Sequence, residues 1–174
     1  MVNGDPQASI SVITEEDGFL QALILVTGQM KSMFSKFPEV LFIDGTHCTN
    51  KLRLPLYTFI GEDGNGQRQP VAYSFVANVK KTTIQTSLIQ VKIIKAEKVV
   101  VVLDKDLSEI PSIKSTVPDA LIKIRKFHVF QAMLSEIRKM PTSESERHQL
   151  ITLCKKWTYS RTEEAFTYIL ASIT

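Results

Sequence analysis

Two apolar runs have no polar break, Val40-Leu41-Phe42-Ile43, which stops at Asp44, and Val99-Val100-Val101-Val102-Leu103, which stops at Asp104. Unbroken β-branched and aliphatic runs of this kind predict strands buried on both faces, the mark of a parallel pair. Leu54 to Ile60 and Pro70 to Ala77 predict two more strands. They are joined by Gly61-Glu62-Asp63-Gly64-Asn65-Gly66, whose glycines and Asp/Asn residues supply the positive φ of a hairpin turn. Because it joins strand to strand, this stretch lacks the following helix that a phosphate-binding loop needs. Ahead of these strands, residues 1–14, with Gly4, Asp5 and Pro6 together, read as an irregular lead-in. Thr14 then offers an N-cap, and Phe19, Leu23, Val26, Met30, Met33 and Phe37 follow at helical spacing until Pro38.

Downstream, Thr82 or Thr83 caps a predicted helix with Ile84, Leu88 and Val91 on one face, leading into the strand at 98–103. Leu107 to Lys114 predicts a short helix, Ala120 to Ile124 a last short strand, and Phe127 to Arg138 a helix that Pro141 closes. Ser143 with Glu146 forms a capping box for 144–157, and Ser160 with Glu163 opens a final helix carrying Phe166, Ile169 and Leu170.

A chain of 174 residues is about one domain and buries roughly 70% of its unfolded surface without help from a disulfide or a metal. Cys48 and Cys154 are far apart and show no C-x-x-C pairing, which excludes a disulfide framework and a zinc knuckle and suits a reducing compartment. The N-terminus shows no signal-type core, and Phe19 to Val26 is too short to span a bilayer, so no membrane partner is expected. Net charge is only +3, but Lys80 to Lys126 contains ten Lys/Arg against five acids. That excess suits either a phosphate polymer or a solvated lysine-rich surface.

In open α/β sheets the working residues gather beyond the carboxyl ends of the strands. Asp44 and Asp104 therefore read in two ways, as strand-end turn residues or as oxygen ligands for a shared divalent cation. The element order decides how close they come. Three strands of antiparallel meander followed by helix, strand, helix, strand and helix is the order of the ribonuclease H-like fold, in which the first and fourth strands lie side by side. The expected class is α/β: a mixed sheet of three antiparallel and then parallel strands flanked by helices, with an N-terminal helix and a helical C-terminal part.

Local motifs carry a family resemblance. The segment Phe37-Pro38-Glu39-Val40-Leu41-Phe42-Ile43-Asp44-Gly45-Thr46-His47-Cys48-Thr49-Asn50 resembles the first catalytic segment of Mutator-like (MULE) transposases. Leu54-Pro55-Leu56-Tyr57 and Pro70-Val71-Ala72-Tyr73 are similar to its next two strands, and Val102-Leu103-Asp104-Lys105-Asp106 to its second catalytic segment. Val117-Pro118-Asp119-Ala120 and Phe127-His128 resemble the downstream Phe-Pro-x-Ala and Cys-x-x-His region. The likeness covers about residues 15–140. With Gln29-Met30 ahead of Phe37-Pro38, it is nearest to the vertebrate transposase-derived SWIM-type zinc-finger proteins.

The resemblance implies that Asp44 and Asp104 hold the first two metal-ligand positions of a DDE-type site, with Mg²⁺ or Mn²⁺ weakly bound and Asp106 and His128 as accessory candidates. The third acid follows a helical insertion in the family, and this chain is expected to end inside it, as a fragment or truncated member without the SWIM zinc motif. Glu144, Glu146, Glu163 and Glu164 read as surface charges, and none is assigned as the third ligand. In two places the sequence departs from the pattern. Arg125 stands where the family has the cysteine, and Val79-Lys80-Lys81 replaces an acidic pair. No zinc site is therefore expected within the chain.

The expected layout is a lead-in and helix over 1–38, a ribonuclease H-like core over 39–140 and the start of a helical extension over 141–174. The expected function is a domesticated, nuclear, DNA- or chromatin-associated module whose incomplete site ranks a binding role above catalysis. Lys80, Lys81, Lys105, Arg125 and Lys126 are the candidates for nucleic-acid contact. Two alternatives stay open, an active DDE transposase or nuclease with its third acid beyond this chain, and a protein-interaction scaffold without nucleic-acid binding. Protein partners are compatible with either, and the sequence does not fix the oligomeric state.

Overall fold

The computed structural model describes residues 4–46, 51, 53–77, 81–90, 99–104 and 109–171, without the side chains of 81–84, 90 and 169–171. The chain forms two compact units, residues 1–123 and 124–174. In the first, strands β1 (Ser9–Thr14), β2 (Leu20–Val26), β3 (Val40–Thr46), β4 (Leu56–Glu62), β5 (Arg68–Val76), β6 (Val100–Leu103) and β7 (Leu121–Ile124) build one sheet in the order β1-β2-β5-β4-β3-β6-β7. Every pair from β1 to β3 across this order is antiparallel, and β3 runs parallel to β6. Helices α1 (Gly28–Lys36), α2 (Lys81–Gln90) and α3 (Ile110–Thr116) complete the unit. A mixed sheet flanked by helices is the class expected from the sequence.

The long N-terminal helix is not there. Residues expected to be irregular form β1, and most of the expected helical stripe forms β2, leaving only Gly28–Lys36 helical. The cause is the turn between the two strands. Gly18 takes φ +82, the Asp17 carboxylate accepts the Phe19 N–H at 3.1 Å, and Glu15 N–H donates to Phe19 O at 2.9 Å. With the chain folded back, burial follows a period of two. Ala22, Ile24 and Val26 are buried, whereas Phe19, the first residue of the supposed stripe, is 73% exposed. Leu20 to Val26 is apolar at all but Gln21, so it satisfies both periods, and tertiary pairing chooses.

Helix α1 starts at Thr27, whose hydroxyl accepts the Met30 N–H at 3.2 Å, and stops before Pro38. Asp5 adds a second cap from a distance, its carboxylate accepting the Gly28 N–H at 2.8 Å, while Lys31 Nζ donates to Gln7 O at 2.6 Å. The core lies on one face of the sheet, where Ile24, Leu41, Ile43, Phe59, Val101 and Leu103 meet Met33 and Phe34 of α1, Leu88 of α2 and Ile113 of α3. Ser74 and Ser87, both buried, satisfy each other at 2.8 Å between β5 and α2. Of the stripe expected on α2, Leu88 is fully buried and Val91 lies outside the described residues. The β4–β5 hairpin closes as expected, with the Asp63 carboxylate accepting the Asn65 and Gln67 N–H groups and Gly66 at φ +76.

The second unit is helical: α4 (Lys126–Lys139), α5 (Glu144–Thr158) and α6 (Glu163–Ala171). Ser143 and Glu146 make the capping box expected of α5. The cap of α6 differs. Thr162 accepts the Ala165 N–H at 3.1 Å, while Ser160 turns back to donate to Trp157 O. A hydroxyl caps best immediately before the first helical residue, and Thr162 rather than Ser160 holds that place. Trp157 stacks on Phe166 with ring centroids 4.9 Å apart. No helix among the described residues is long and apolar enough to cross a membrane.

Candidate functional site

Strands β3 and β6 run parallel with Ile43 opposite Leu103, so Asp44 and Asp104 each stand one residue beyond that pair, at the same end of neighbouring strands. Alternation fixes the face of Asp44. Leu41, Ile43, Val101 and Leu103 point into the core, which leaves Asp44 with Phe42 on the opposite face of β3 and Val102 on that face of β6, with Asp104 the first residue past β6. Neighbouring strands lie about 4.8 Å apart, so the two acids sit at adjacent strand ends. Both acids are half-buried, and one carboxylate oxygen of Asp104 is shielded from solvent.

Asp44 continues a row that crosses the sheet. Asp44 pairs with Thr58 on β4, Thr58 with Tyr73 on β5, Tyr73 with Leu25 on β2, and Leu25 with Ile10 on β1. At the end of β3 a close approach holds the backbone. A Cβ on Gly45 would lie 3.2 Å from the Tyr57 ring, and Tyr57 is buried in the core. A side chain at position 45 must therefore push the ring aside, and a shift of β3 there moves Asp44. One basic group near this face was not singled out from the sequence. Arg68, at the start of β5, sets its guanidinium 3.9 Å over the ring of Phe42 and bonds Glu62 at 3.1 Å. Sequence offers little warning of that contact, because Arg68 lies 26 positions from Phe42 and meets it only through the meander.

Lys80, Lys105 and Asp106 lie outside the described residues, as do His47 and Cys48, and for Lys81 only the backbone in α2 is described. Arg125, Lys126 and His128 belong to the second unit. There, Lys126 Nζ donates to Ser160 O at 3.3 Å, and the half-buried His128 ring meets Phe127 edge to face with centroids 5.3 Å apart. Glu144, Glu146, Glu163 and Glu164 are exposed on α5 and α6 of that unit. Glu146 is held below the usual carboxylate range by the Ser143 hydroxyl and N–H, so it serves as a cap. Burial pushes the Cys154 thiol up, away from a reactive thiolate. Among the described residues no group of three or more His, Cys, Asp or Glu side chains is placed to hold a metal ion. The acid pair still suits a hard cation in kind, since carboxylate oxygens are what Mg²⁺ and Mn²⁺ prefer.

An α/β domain with a central parallel pair, a meander on one side and an acid at each of two adjacent strand ends defines the ribonuclease H-like class. Residues 1–123 match the family model described as the RNaseH-like domain of zinc finger SWIM domain-containing protein 1/3. The chain belongs to that family. Among curated proteins the comparison finds no match.

Proposed function

We propose that this chain is a transposase-derived module that associates with DNA or chromatin in the nucleus, with Asp44 and Asp104 as the remaining acids of an incomplete DDE site. The observation that carries this reading is the parallel β3–β6 register, whose last pair, Ile43 and Leu103, immediately precedes Asp44 and Asp104. The family match supports the fold on which such a site would sit. When bound at the two carboxylates, Mg²⁺ or Mn²⁺ would supply Lewis acidity toward a phosphodiester. The chain's own part is positional. The β3–β6 register brings the strand ends that carry the two acids together, Tyr57 packs against the backbone at Gly45, and Arg68 adds a guanidinium over Phe42, matched to phosphate. Two ligands leave a cation mostly water-coordinated, so the module binds the ion weakly and acts by association rather than by strand cleavage.

The test is duplex DNA binding as a function of salt. Expected is sequence-independent binding at roughly 10⁻⁴–10⁻⁶ M near physiological salt, with log affinity falling linearly against log salt. Alanine at Lys81, Arg125 and Lys126 together flattens that slope and weakens every sequence about equally, because phosphate contacts position without reading bases. Binding undetectable at low salt would overturn the reading in favour of a protein scaffold. Mn²⁺-induced NMR broadening should centre on Asp44 and Asp104 and fade in Asp44→Ala; broadening that ignores this change would put the ion elsewhere.

A further inference from the structure

The edge of the sheet farthest from the acids has a character of its own. Strand β1 reads Ser-Ile-Ser-Val-Ile-Thr, without a charge, a proline or a glycine, and it is the last strand in the sheet order. Edge strands of soluble proteins are ordinarily blunted by lysine, proline, a bulge or a covering element, because their backbone groups are a template for another strand, and β1 carries only a register shift at its far end, between Ile13 and Thr14. Here three side chains alternate outward from the core, Thr14 being the third, and the first two are aliphatic and bare, Ile10 at 55% and Val12 at 63% exposure. Their cross-strand partners Leu25 and Leu23 extend the same apolar band inward to Tyr73 and Phe75 of β5.

We infer that β1 is a pairing edge and that its occupant is β1 of a second copy of this chain, joined antiparallel about a two-fold axis. The pattern is self-complementary. With the axis at Ser11, Ile10 stands opposite the partner copy's Val12; with the axis at Val12, the two copies of Val12 face each other. Either register sets four aliphatic side chains on one continuous face. Charge fits as well. Glu15, Glu16 and Asp17 follow β1 at one end, and at the other Lys31, bonded to Gln7 O, stands with the Asp5 carboxylate, so that end is close to neutral. An antiparallel pair carries each acidic end to the near-neutral end of the other copy, whereas a parallel pair would set acid against acid. An isologous contact of this kind closes at two copies, so a bare edge need not lead to open-ended aggregation.

The experiment is sedimentation velocity of the whole chain over a concentration series. Expected is a monomer–dimer equilibrium with Kd of roughly 10–100 µM, the range of a small transient interface. Val12→Lys places a charge on the bare edge and should weaken the dimer by about tenfold or more. Because Val12 is exposed, its circular dichroism spectrum should stay that of the parent. Lys31→Glu should weaken it less, and adding Glu16→Lys to that variant should recover part of the loss. In a Cys48→Ser, Cys154→Ser background, Ser11→Cys or Val12→Cys should form a disulfide with its own copy, whichever lies on the axis. A chain that stays monomeric throughout, or a dimer indifferent to Val12→Lys and crosslinked by neither cysteine, overturns the proposal. A monomer that instead accepts a strand from an unrelated protein does so equally.

Discussion

Strands β2 and β3 have the same length and are both mostly apolar, yet they occupy different roles. β3 lies deep in the sheet, with β4 on one side and β6 on the other, and carries an acid at its end. β2 lies one strand from the edge, gives Ala22, Ile24 and Val26 to the core, and ends without an acid. The difference is set by what flanks each run. Pro38 ahead of β3 forbids a helix running through, and the run stops at Asp44. β2 is followed directly by Thr27 and a true helix, so a helical stripe drawn from Val26, Met30 and Met33 extends backwards over a strand without meeting a breaker. Neither run reveals from its own composition whether a neighbour will cover its two sides.

The largest expected effect separates the strand account of β2 from the helical one. Ile24 is off the helical stripe but 1% exposed, and Phe19 heads the stripe but is exposed. Ile24→Ala should cost about 2–5 kcal/mol in urea unfolding, on a par with Ile43→Ala in β3, whereas Phe19→Ala should stay near 0.5 kcal/mol. The reverse ranking would restore the helix and detach β1 and β2 from the sheet.

What could be read from the sequence follows the same division. The apolar runs of β3 and β6, the β4–β5 hairpin and the Ser143–Glu146 capping box are each signalled by residues within a few positions of one another. The adjacency of the two strands that lead to Asp44 and Asp104 was legible too, because each run closes on an aspartate and element order makes those strands neighbours. The parts that escaped depend on distant partners. The Arg68 contact with Phe42 and the Asp5 cap on Gly28 join residues far apart in sequence, and no local pattern marks either. Ser160 and Thr162 both precede α6 with a hydroxyl, and only the start of the helix at Glu163 selects Thr162.

A smaller effect is expected at the end of β3. Gly45→Val brings branched carbons against the Tyr57 ring and should cost about 1–3 kcal/mol, the usual range for overpacking. Gly64→Ala, where the nearest atom is Phe37 Cε1 at 3.5 Å, should cost less. The pair asks whether the site end of β3 is more tightly specified than the turn beyond β4; equal costs would say that it is not. On α6, Thr162→Ala should cost about 1 kcal/mol of helix stability, and Ser160→Ala less, measured by amide exchange along 163–171.

The smallest effect is a pH dependence at the edge of the sheet. The Gly28 N–H, with those of Gln7 and Ala8 and the Lys31 charge, holds the Asp5 carboxyl below its ordinary value of 3.8 despite some desolvation. A carboxyl whose folded value is depressed binds protons more readily in the unfolded chain, so stability rises with pH through this window. Its contribution is complete above 3.8 and is lost as pH falls through the lower folded value. Asp5→Asn should therefore be less stable than the parent at neutral pH, with the gap closing only below about pH 4. Urea midpoints for the two chains from pH 6 down to 2.5 give the comparison. Because Asp5 ties the lead-in to the start of α1, right beside β1, a gap that does not close on acidification would mean that the amide at this position disturbs packing rather than charge. The docking of the lead-in would then be steric, and the charge at Asp5 would have no part in ordering the edge strand.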